Sequence, residues 1–141
     1  MPLTQETIRS FAEAWYKGLD DHIPQVQLLP LLMDEGLVMN WPEGQTLGHE
    51  GFEGWYQRVI RIFFDEVHIV KSTDAQIQGD TATVKVVVHW EASVWEAPSP
   101  RSKRISLDAY QTWEVRLIDG AIKLATYTVD ELKYLPGSAT L

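Results

Sequence analysis

Two groups of polar side chains in this sequence have the residue types needed for acid–base chemistry. Asp130 follows an apolar segment, and a carboxylate at the edge of an apolar pocket can act as an acid or a base near neutral pH because burial disfavours its charged form. The same carboxylate could instead cap a terminal turn over residues 131–134. His89 and Glu91 could form an oriented imidazole–carboxylate pair, or a cross-strand ion pair on the outside of a sheet.

Gln111 is a lone polar residue on an otherwise apolar side of a predicted strand. The residues that share its parity are Leu107, Ala109, Trp113, Val115 and Leu117. A buried amide needs hydrogen-bond partners, so Gln111 is predicted to bind either a ligand or a neighbouring Tyr or Trp side chain. The chain also has six Trp residues, and such side chains line pockets and interfaces as well as cores.

A long β-branched segment, residues 81–95, is predicted to be the central strand of a curved antiparallel sheet. Its even-numbered positions from 84 to 94 are all apolar, which is the period-2 pattern of a strand with one buried face. With this parity, His89 and Glu91 point away from the core. Val87 and Trp95 interrupt the polar side, which predicts that a second copy of the chain covers it, as a homodimer packed through the sheet.

Helical patterns precede this strand, and further strands surround it. Residues 4–19 are predicted to form an amphipathic helix, a short helix begins near Leu29, and a third helix runs from about residue 50 to residue 64. A short strand at residues 37–41 ends in a turn at Pro42 and Gly44. Long strands follow at residues 67–77, 81–95, 105–118 and 122–129, with Asp119-Gly120 as a hairpin signal. The fold class is therefore α+β.

Composition excludes several classes of function. The formal net charge of −8 disfavours nucleic acids and acidic membranes, whose binding depends on Lys and Arg. The chain has no cysteine, which excludes disulfides and thiolate chemistry, and its histidines lack the spacing of metal ligands. No cofactor is expected. Without an apolar segment of about 20 residues or a signal peptide, a cytoplasmic protein is expected, with one domain over residues 1–141 and a frayed tail at residues 135–141.

The order of elements resembles the nuclear transport factor 2-like superfamily over nearly the whole chain. The phrases that carry the resemblance are LLMDEGLVMNWPEG, TLGHEGFEGW, VVVHW and LIDGAIKLATYTVD, and they look like the SnoaL-like polyketide cyclase branch. The resemblance implies a cone in which a strongly curved antiparallel sheet wraps around three N-terminal helices and encloses an apolar pocket. It also implies homodimers packed sheet to sheet.

The residues that match enzymes of this superfamily do not all favour the same reaction. Ketosteroid isomerase relatives carry a catalytic carboxylate directly before the proline of the first strand, where this chain has Trp41, so the resemblance does not imply that chemistry. Limonene-epoxide hydrolase relatives carry an asparagine two residues before that proline, an Arg-x-Asp pair on the central strand and an aspartate near the end of the last strand. The matching residues here are Asn40, His89 with Glu91, and Asp130. The Tyr that accompanies the asparagine in those enzymes is Val38 here.

The sequence therefore predicts a cone whose apolar pocket binds a small hydrophobic molecule. Asp130, Asn40, His89 and Glu91 are the catalytic candidates, and the predicted ligand-binding residues are Trp15, Trp41, Trp55, Trp90, Gln111, Trp113 and Tyr127. If the protein is an enzyme, it is a lyase, isomerase or hydrolase that uses acid–base chemistry without a cofactor. The alternative is a non-catalytic ligand-binding or dimerisation module of the same fold.

Overall fold

The computed structural model describes residues 2–141 and begins with a long amphipathic helix, α1 (Gln5–Asp20). Thr4 caps it: the Thr4 hydroxyl accepts from the Thr7 backbone N–H at 3.0 Å, and the Thr7 hydroxyl accepts from the Thr4 backbone N–H at 2.9 Å. The predicted apolar face is confirmed, since Ile8, Phe11, Ala12, Trp15 and Leu19 are buried. No helix within residues 2–141 combines the length and hydropathy needed to cross a membrane.

The segment after α1 differs from the prediction in two places. A one-turn helix, α2 (Gln25–Leu28), precedes a 3₁₀ turn at Leu29–Leu31, so helical structure starts four residues before Leu29. Pro30 falls in the 3₁₀ turn because it has no N–H with which to continue an α-helix. Strand β1 (Val38–Trp41) is confirmed, but the chain then turns back as β2 (Gly44–Leu47), which pairs with it.

Helix α3 (Gly48–Ile62) leads directly into the long strands. These are β3 (Phe63–Gln78), β4 (Thr81–Val94), β5 (Lys103–Ile118) and β6 (Ala121–Tyr134). The curved, unclosed sheet has the order β2-β1-β6-β5-β4-β3, with only the β1–β6 pair parallel. Asp119 and Gly120 form the predicted two-residue hairpin, with φ values of 50° and 81° that match a type I′ turn.

The core lies between the helices and the inner face of the sheet. On β4, Val84, Val86, Val88 and Ala92 are buried, which confirms the parity read from the sequence. Trp113 and Val115 on β5 and Leu124 and Tyr127 on β6 extend the same apolar layer. The observed architecture is thus the predicted α+β arrangement of a curved, mostly antiparallel sheet around three helices.

Candidate functional site

A cavity of about 130 Å³ lies between α3, the end of α1 and the inner face of the sheet. Its walls are mostly apolar, and polar side chains reach it from three strands and one turn. Those polar residues are Glu66 and His68 on β3, Gln111 on β5, Tyr127 on β6, and Glu43 in the turn between β1 and β2. An apolar chamber with a few polar groups on its walls is the usual form of a small-molecule site.

His68 is the most chemically specific of these groups because Asp20 holds it at two points. One carboxylate oxygen of Asp20 lies 2.5 Å from Nδ1 of His68, and the other accepts the His68 backbone N–H at 2.9 Å. Both side chains are largely buried, with exposed fractions of 11% for His68 and 14% for Asp20. The carboxylate therefore fixes both the position of the strand and the orientation of the ring.

The contact with Asp20 also determines which nitrogen of His68 carries the proton. An ionised carboxylate is only an acceptor, so Nδ1 must carry the proton in this hydrogen bond. In neutral imidazole Nε2 is then an unprotonated acceptor. Nε2 makes no hydrogen bond to protein among residues 2–141, and His68 lines the cavity. The arrangement presents a basic lone pair to whatever occupies the chamber.

Aromatic rings on either side restrict the His68 ring further. Tyr16 stacks on it with the ring centroids 4.6 Å apart and the planes 17° apart, and Trp90 lies 6.0 Å away at 25°. Burial and the neighbouring Tyr127 phenol raise the pKa of Tyr16 well above its usual value, so Tyr16 stays a neutral donor. It gives its hydroxyl hydrogen to Gln111 Oε1 at 2.6 Å.

Gln111 receives a second hydrogen bond that fixes its amide orientation. The indole N–H of Trp113, which can only donate, lies 2.9 Å from Gln111 Oε1. The Gln111 side chain lines the cavity and also interacts with the Tyr127 phenol. Beside it, burial raises the pKa of the Tyr127 phenol to about 12. Two neutral polar groups therefore line the chamber together with His68.

Glu66 reaches the cavity because strand β3 bulges. The β3–β4 pairing shifts register between Phe64 and Val67, and Asp65 adopts a left-handed φ of 50°. The extra residue turns Glu66 inward, where Oε1 accepts the Trp90 indole N–H at 3.1 Å. Oε2 of Glu66 lies 2.5 Å from Nε2 of His22. A second imidazole–carboxylate pair therefore borders the same chamber.

Five of the six Trp residues divide into pocket and core, and the sixth, Trp95, is exposed. Trp41 and Trp55 line the cavity as a parallel stack with centroids 3.6 Å apart, and the Trp55 indole N–H donates to Glu43 at 2.8 Å. Trp90 lines it as well. Trp15 and Trp113 are fully buried and do not line it. Five of the seven predicted ligand-binding residues thus border the chamber: Trp41, Trp55, Trp90, Gln111 and Tyr127.

Comparison with solved structures identifies the architecture. A candidate aromatic ring hydroxylase from Novosphingobium aromaticivorans superposes with a TM-score of 0.79 at 17% identity, covering 93% of this chain and 92% of that one. A nuclear transport factor 2-like superfamily protein from Salmonella enterica gives 0.72 at 13% identity, covering 96% and 92%. The chain has the nuclear transport factor 2-like fold.

A third solved structure with this fold is named as an enzyme. The hexachlorocyclohexane dehydrochlorinase LinA-type3 from Novosphingobium barchaimii superposes with a TM-score of 0.71 at 17% identity, covering 96% of this chain and 94% of that one. No protein-family model matches the chain, and no curated protein matches it either. At these identities the likeness describes the nuclear transport factor 2-like fold and leaves the chemistry to the residues themselves.

Asp130 lies on the opposite side of the sheet from the cavity. The alternative that Asp130 caps a terminal turn over residues 131–134 is wrong, because β6 continues to Tyr134 and pairs with β5. Gln111 pairs with Val129, and Tyr110 pairs with Glu131, so Asp130 is the extra residue of a bulge. It is exposed and accepts the Thr112 hydroxyl at 2.6 Å.

Asn40 also points away from the chamber. Its neighbours on β1, Met39 and Trp41, are the buried ones. The Asn40 side chain instead donates to the Thr128 hydroxyl at 3.1 Å and accepts from Gln45 at 2.9 Å. These contacts join the outer surfaces of β1, β2 and β6.

His89 and Glu91 belong to a charged network on the outer face of the nuclear transport factor 2-like sheet. Nδ1 of His89 lies 2.9 Å from Asp108, and Nε2 lies 2.8 Å from Glu91. Lys71 lies 2.9 Å from Asp108, and Arg104 lies 3.4 Å from Glu91. The strand parity that buries Val88 and Ala92 requires this placement, so none of the four predicted catalytic residues borders the cavity.

This outer network predicts a pH-dependent contribution to stability. The hydrogen bond to Glu91, followed by the contacts with Asp108, raises the pKa of His89 above 6.5 despite partial burial. A group whose pKa is higher in the folded state than in the unfolded state contributes its full stabilisation below the pKa of the unfolded state. That stabilisation is lost as the pH rises through the pKa of the folded state. His89→Gln should therefore reduce the free energy of unfolding more at pH 5.5 than at pH 8.5, as measured by urea denaturation.

A matched background controls for other effects of the His89 substitution. In a protein that already carries Glu91→Gln and Asp108→Asn, the carboxylates that raise the pKa of His89 are absent. His89→Gln should there produce the same change at pH 5.5 and pH 8.5. If His89→Gln in the wild-type background changes the free energy of unfolding equally at pH 5.5 and pH 8.5, the proposed contribution of the network to stability is contradicted.

Few sequence features indicate that Asp20 and His68 belong to the site. Val67 and Ile69 alternate with His68, and their apolar character suggests that His68 faces outward, whereas both of these residues are exposed and His68 points inward. One local signal exists for Asp20. An acidic residue in the last turn of a helix opposes the helix dipole, and such a position calls for a specific partner. Here that partner is His68, 48 residues away.

Proposed function

We propose that this protein is an enzyme that removes a carbon-bound proton from a small, largely apolar molecule, with His68 as the base. One observation supports this most strongly: Asp20 holds Nδ1 of His68 at 2.5 Å while the ring borders an apolar chamber. A positioned histidine with a bare nitrogen is the commonest general base in enzymes. The reaction requires no cofactor.

The neighbouring groups have complementary roles in such a reaction. As Nε2 of His68 takes the proton, the ring becomes a cation, and the Asp20 carboxylate stabilises that charge. The electron pair left on carbon moves onto an adjacent carbonyl, whose oxygen becomes negative. The Gln111 amide N–H and the neutral Tyr127 hydroxyl are the donors available to that oxygen. The products of this step are those of an isomerase or a lyase.

The walls of the chamber favour a flat, hydrophobic substrate. The parallel Trp41–Trp55 stack presents a broad ring surface, and Trp90 and Tyr127 add further aromatic area. The dehydrochlorinase of the same fold is named for the removal of hydrogen chloride from a small cyclic molecule, which supports an elimination. An open chamber with a bare histidine nitrogen favours an enzyme over a module whose pocket is filled by its own Trp side chains.

Ring opening of 5-nitro-1,2-benzisoxazole tests the proposed base without knowledge of the natural substrate. A base removes the single carbon-bound proton of this flat molecule, and the coloured phenolate product reports the rate. The protein should accelerate the reaction well beyond free imidazole at the same concentration, and 5-nitrobenzotriazole, a flat analogue, should inhibit it. A rate no higher than that of free imidazole would contradict the proposal.

We also propose that two copies of the chain associate through the outer face of the sheet. Val67 and Ile69 on β3 and Trp95 after β4 are exposed there, at 41%, 55% and 55%. The charged groups between them are already paired within one chain, so a second copy can cover the face without burying an unpaired charge.

Ile69→Lys should convert this dimer to a monomer. The substitution adds a charge at the exposed apolar surface and touches neither the core nor the cavity. Sedimentation velocity at micromolar concentration should give a dimer for the wild type and a monomer for the variant. A monomeric wild type would contradict the proposed association.

A further inference from the structure

Glu66 and His22 form a hydrogen-bonded pair that the removal of a carbon-bound proton does not use. The Glu66 side chain is 9% exposed and borders the chamber, whereas His22 is 26% exposed. A carboxylate in a mostly apolar wall is unfavourable unless it is paired and hydrogen-bonded. Here His22 and the Trp90 indole N–H satisfy that need at 2.5 and 3.1 Å.

One member of the pair, His22, and the neighbour of the other, Asp65, have uncommon backbone conformations. His22 has a φ of 49°, and Asp65, whose bulge turns Glu66 inward, has a φ of 50°. Left-handed conformations at residues other than glycine are disfavoured and cluster at functional sites. Tyr56 fixes the loop next to His22, because its hydroxyl donates to the Ile23 carbonyl at 2.6 Å.

Glu66 is also in position to act on the same molecule as His68. The two residues are two positions apart on β3 and both border the cavity, so their backbones are separated by roughly 7 Å along the strand. Trp90 contacts both, stacking near the His68 ring and donating to Glu66. A small substrate between them could lose a proton to one and gain a proton from the other.

We propose that Glu66, supplied with a proton by the more exposed His22, is the general acid for departure of a hydroxyl group. The substrate class is then a small aromatic or hydrophobic carbonyl compound with a hydroxyl on the carbon β to the carbonyl, and the reaction is loss of water. This assignment rests on the proposed role of His68 as the base. It follows from leaving-group chemistry, because hydroxide departs readily only when it is protonated, whereas a halide needs no proton.

The step balances in protons and electrons. The α C–H bond breaks, the proton goes to Nε2 of His68, and the electron pair forms a carbon–carbon double bond. The C–O bond breaks with its pair on oxygen, which takes the Glu66 proton and leaves as water. Glu66 then recovers a proton through His22, and His68 releases one to solvent.

Two ketones with the same carbon skeleton distinguish the contribution of the general acid from that of the base. 4-Hydroxy-4-phenylbutan-2-one and 4-chloro-4-phenylbutan-2-one give the same conjugated product, but only the first has a leaving group that needs a proton. Glu66→Gln should lower kcat/KM for the hydroxy ketone by about 100-fold or more, the usual scale for a lost general acid. It should change the rate for the chloro ketone by less than about threefold, because that elimination needs only the base.

Matched variants check the assignment. Glu66→Gln retains an oxygen for the Trp90 indole N–H and an amide that can donate to His22, so thermal unfolding should change little. His68→Gln should lower the rates for both ketones. His22→Ala should slow only the hydroxy ketone, and added imidazole should restore part of that rate, because a merely structural role for His22 would not be rescued in this selective way.

Several outcomes would contradict the assignment of Glu66 as the general acid, and they differ from the outcomes that would contradict His68 as the base. Equal losses for both ketones in Glu66→Gln, or no loss for either, would contradict it. Wild-type turnover of the chloro ketone alone would also contradict it while leaving His68 as the base. If the protein opens 5-nitro-1,2-benzisoxazole but converts neither ketone, the proposed substrate class is excluded. If all three reactions fail, the assignments of both the base and the acid are overturned.

Discussion

Replacing His68 with Gln is expected to lower kcat/KM for ring opening of 5-nitro-1,2-benzisoxazole by about 10²–10⁴, the usual range for a lost general base. Gln retains an amide that can donate to Asp20, but it has no basic lone pair at the position of Nε2. The apolar walls of the chamber are unchanged, so inhibition by 5-nitrobenzotriazole should persist. The rate is followed through phenolate absorbance, with thermal unfolding as a check on the fold.

Two carboxylate variants provide the matched comparison. Asp20→Asn removes the charge that orients the His68 ring and stabilises its cationic form, and it should reduce the rate mainly through kcat. Asp130→Asn changes an exposed carboxylate on the outer face, whose partner is Thr112, and it should leave the rate within about twofold of wild type, as expected for a group that never meets the substrate. A wild-type rate in His68→Gln, or a loss in Asp130→Asn as large as that in His68→Gln, would contradict the assignment of the site.

Gln111→Met is expected to cause the largest loss of stability among the cavity variants. Gln111 Oε1 accepts two hydrogen bonds, from the Tyr16 hydroxyl and from the Trp113 indole N–H, and both of these donors are buried. Met has a similar volume but offers no comparable acceptor. Each buried donor left without a partner costs about 1–3 kcal/mol. The free energy of unfolding, measured in urea, should fall accordingly with an unchanged m-value.

A double-mutant cycle with Tyr16→Phe separates the hydrogen bond from packing. Tyr16→Phe removes one donor and keeps the ring that stacks on His68. In the double variant, one of the two unsatisfied donors no longer exists, so the total loss should be smaller than the sum of the two single losses. Additive losses would indicate that Gln111 contributes through packing alone.

The fold was largely predictable because its pattern is local and repeated. The apolar alternation of residues 84–94 and the Asp119-Gly120 turn specify a strand and a hairpin from neighbouring residues alone, and both are observed. Helix α1 begins at the predicted Thr4 cap. Strand β2 was missed because Gly44–Leu47 is short and mostly exposed, which leaves no apolar alternation to detect.

The candidate site was less predictable because bulges change which way a side chain points. A period-2 pattern assumes an unbroken strand, and one extra residue reverses every later side chain. The bulge at Asp65 turns Glu66 inward, and the bulge at Asp130 leaves that carboxylate outside. The contact between Asp20 and His68 joins a helix end to a strand, and no spacing rule within either element reveals it. The aromatic walls were easier to anticipate, since large apolar side chains point inward whatever the chemistry.

The tautomer of His68 tests the central claim most directly. Two-bond ¹H–¹⁵N correlation spectra at a pH where the ring is neutral distinguish a protonated ring nitrogen from a bare one, and His68→Gln assigns the signals. The hydrogen bond to Asp20 predicts a proton on Nδ1 and a bare Nε2, whose ¹⁵N shift should move when 5-nitrobenzotriazole enters the chamber. A proton on Nε2, or an Nε2 signal that does not respond to the saturating analogue, would contradict the assignment of His68 as the base.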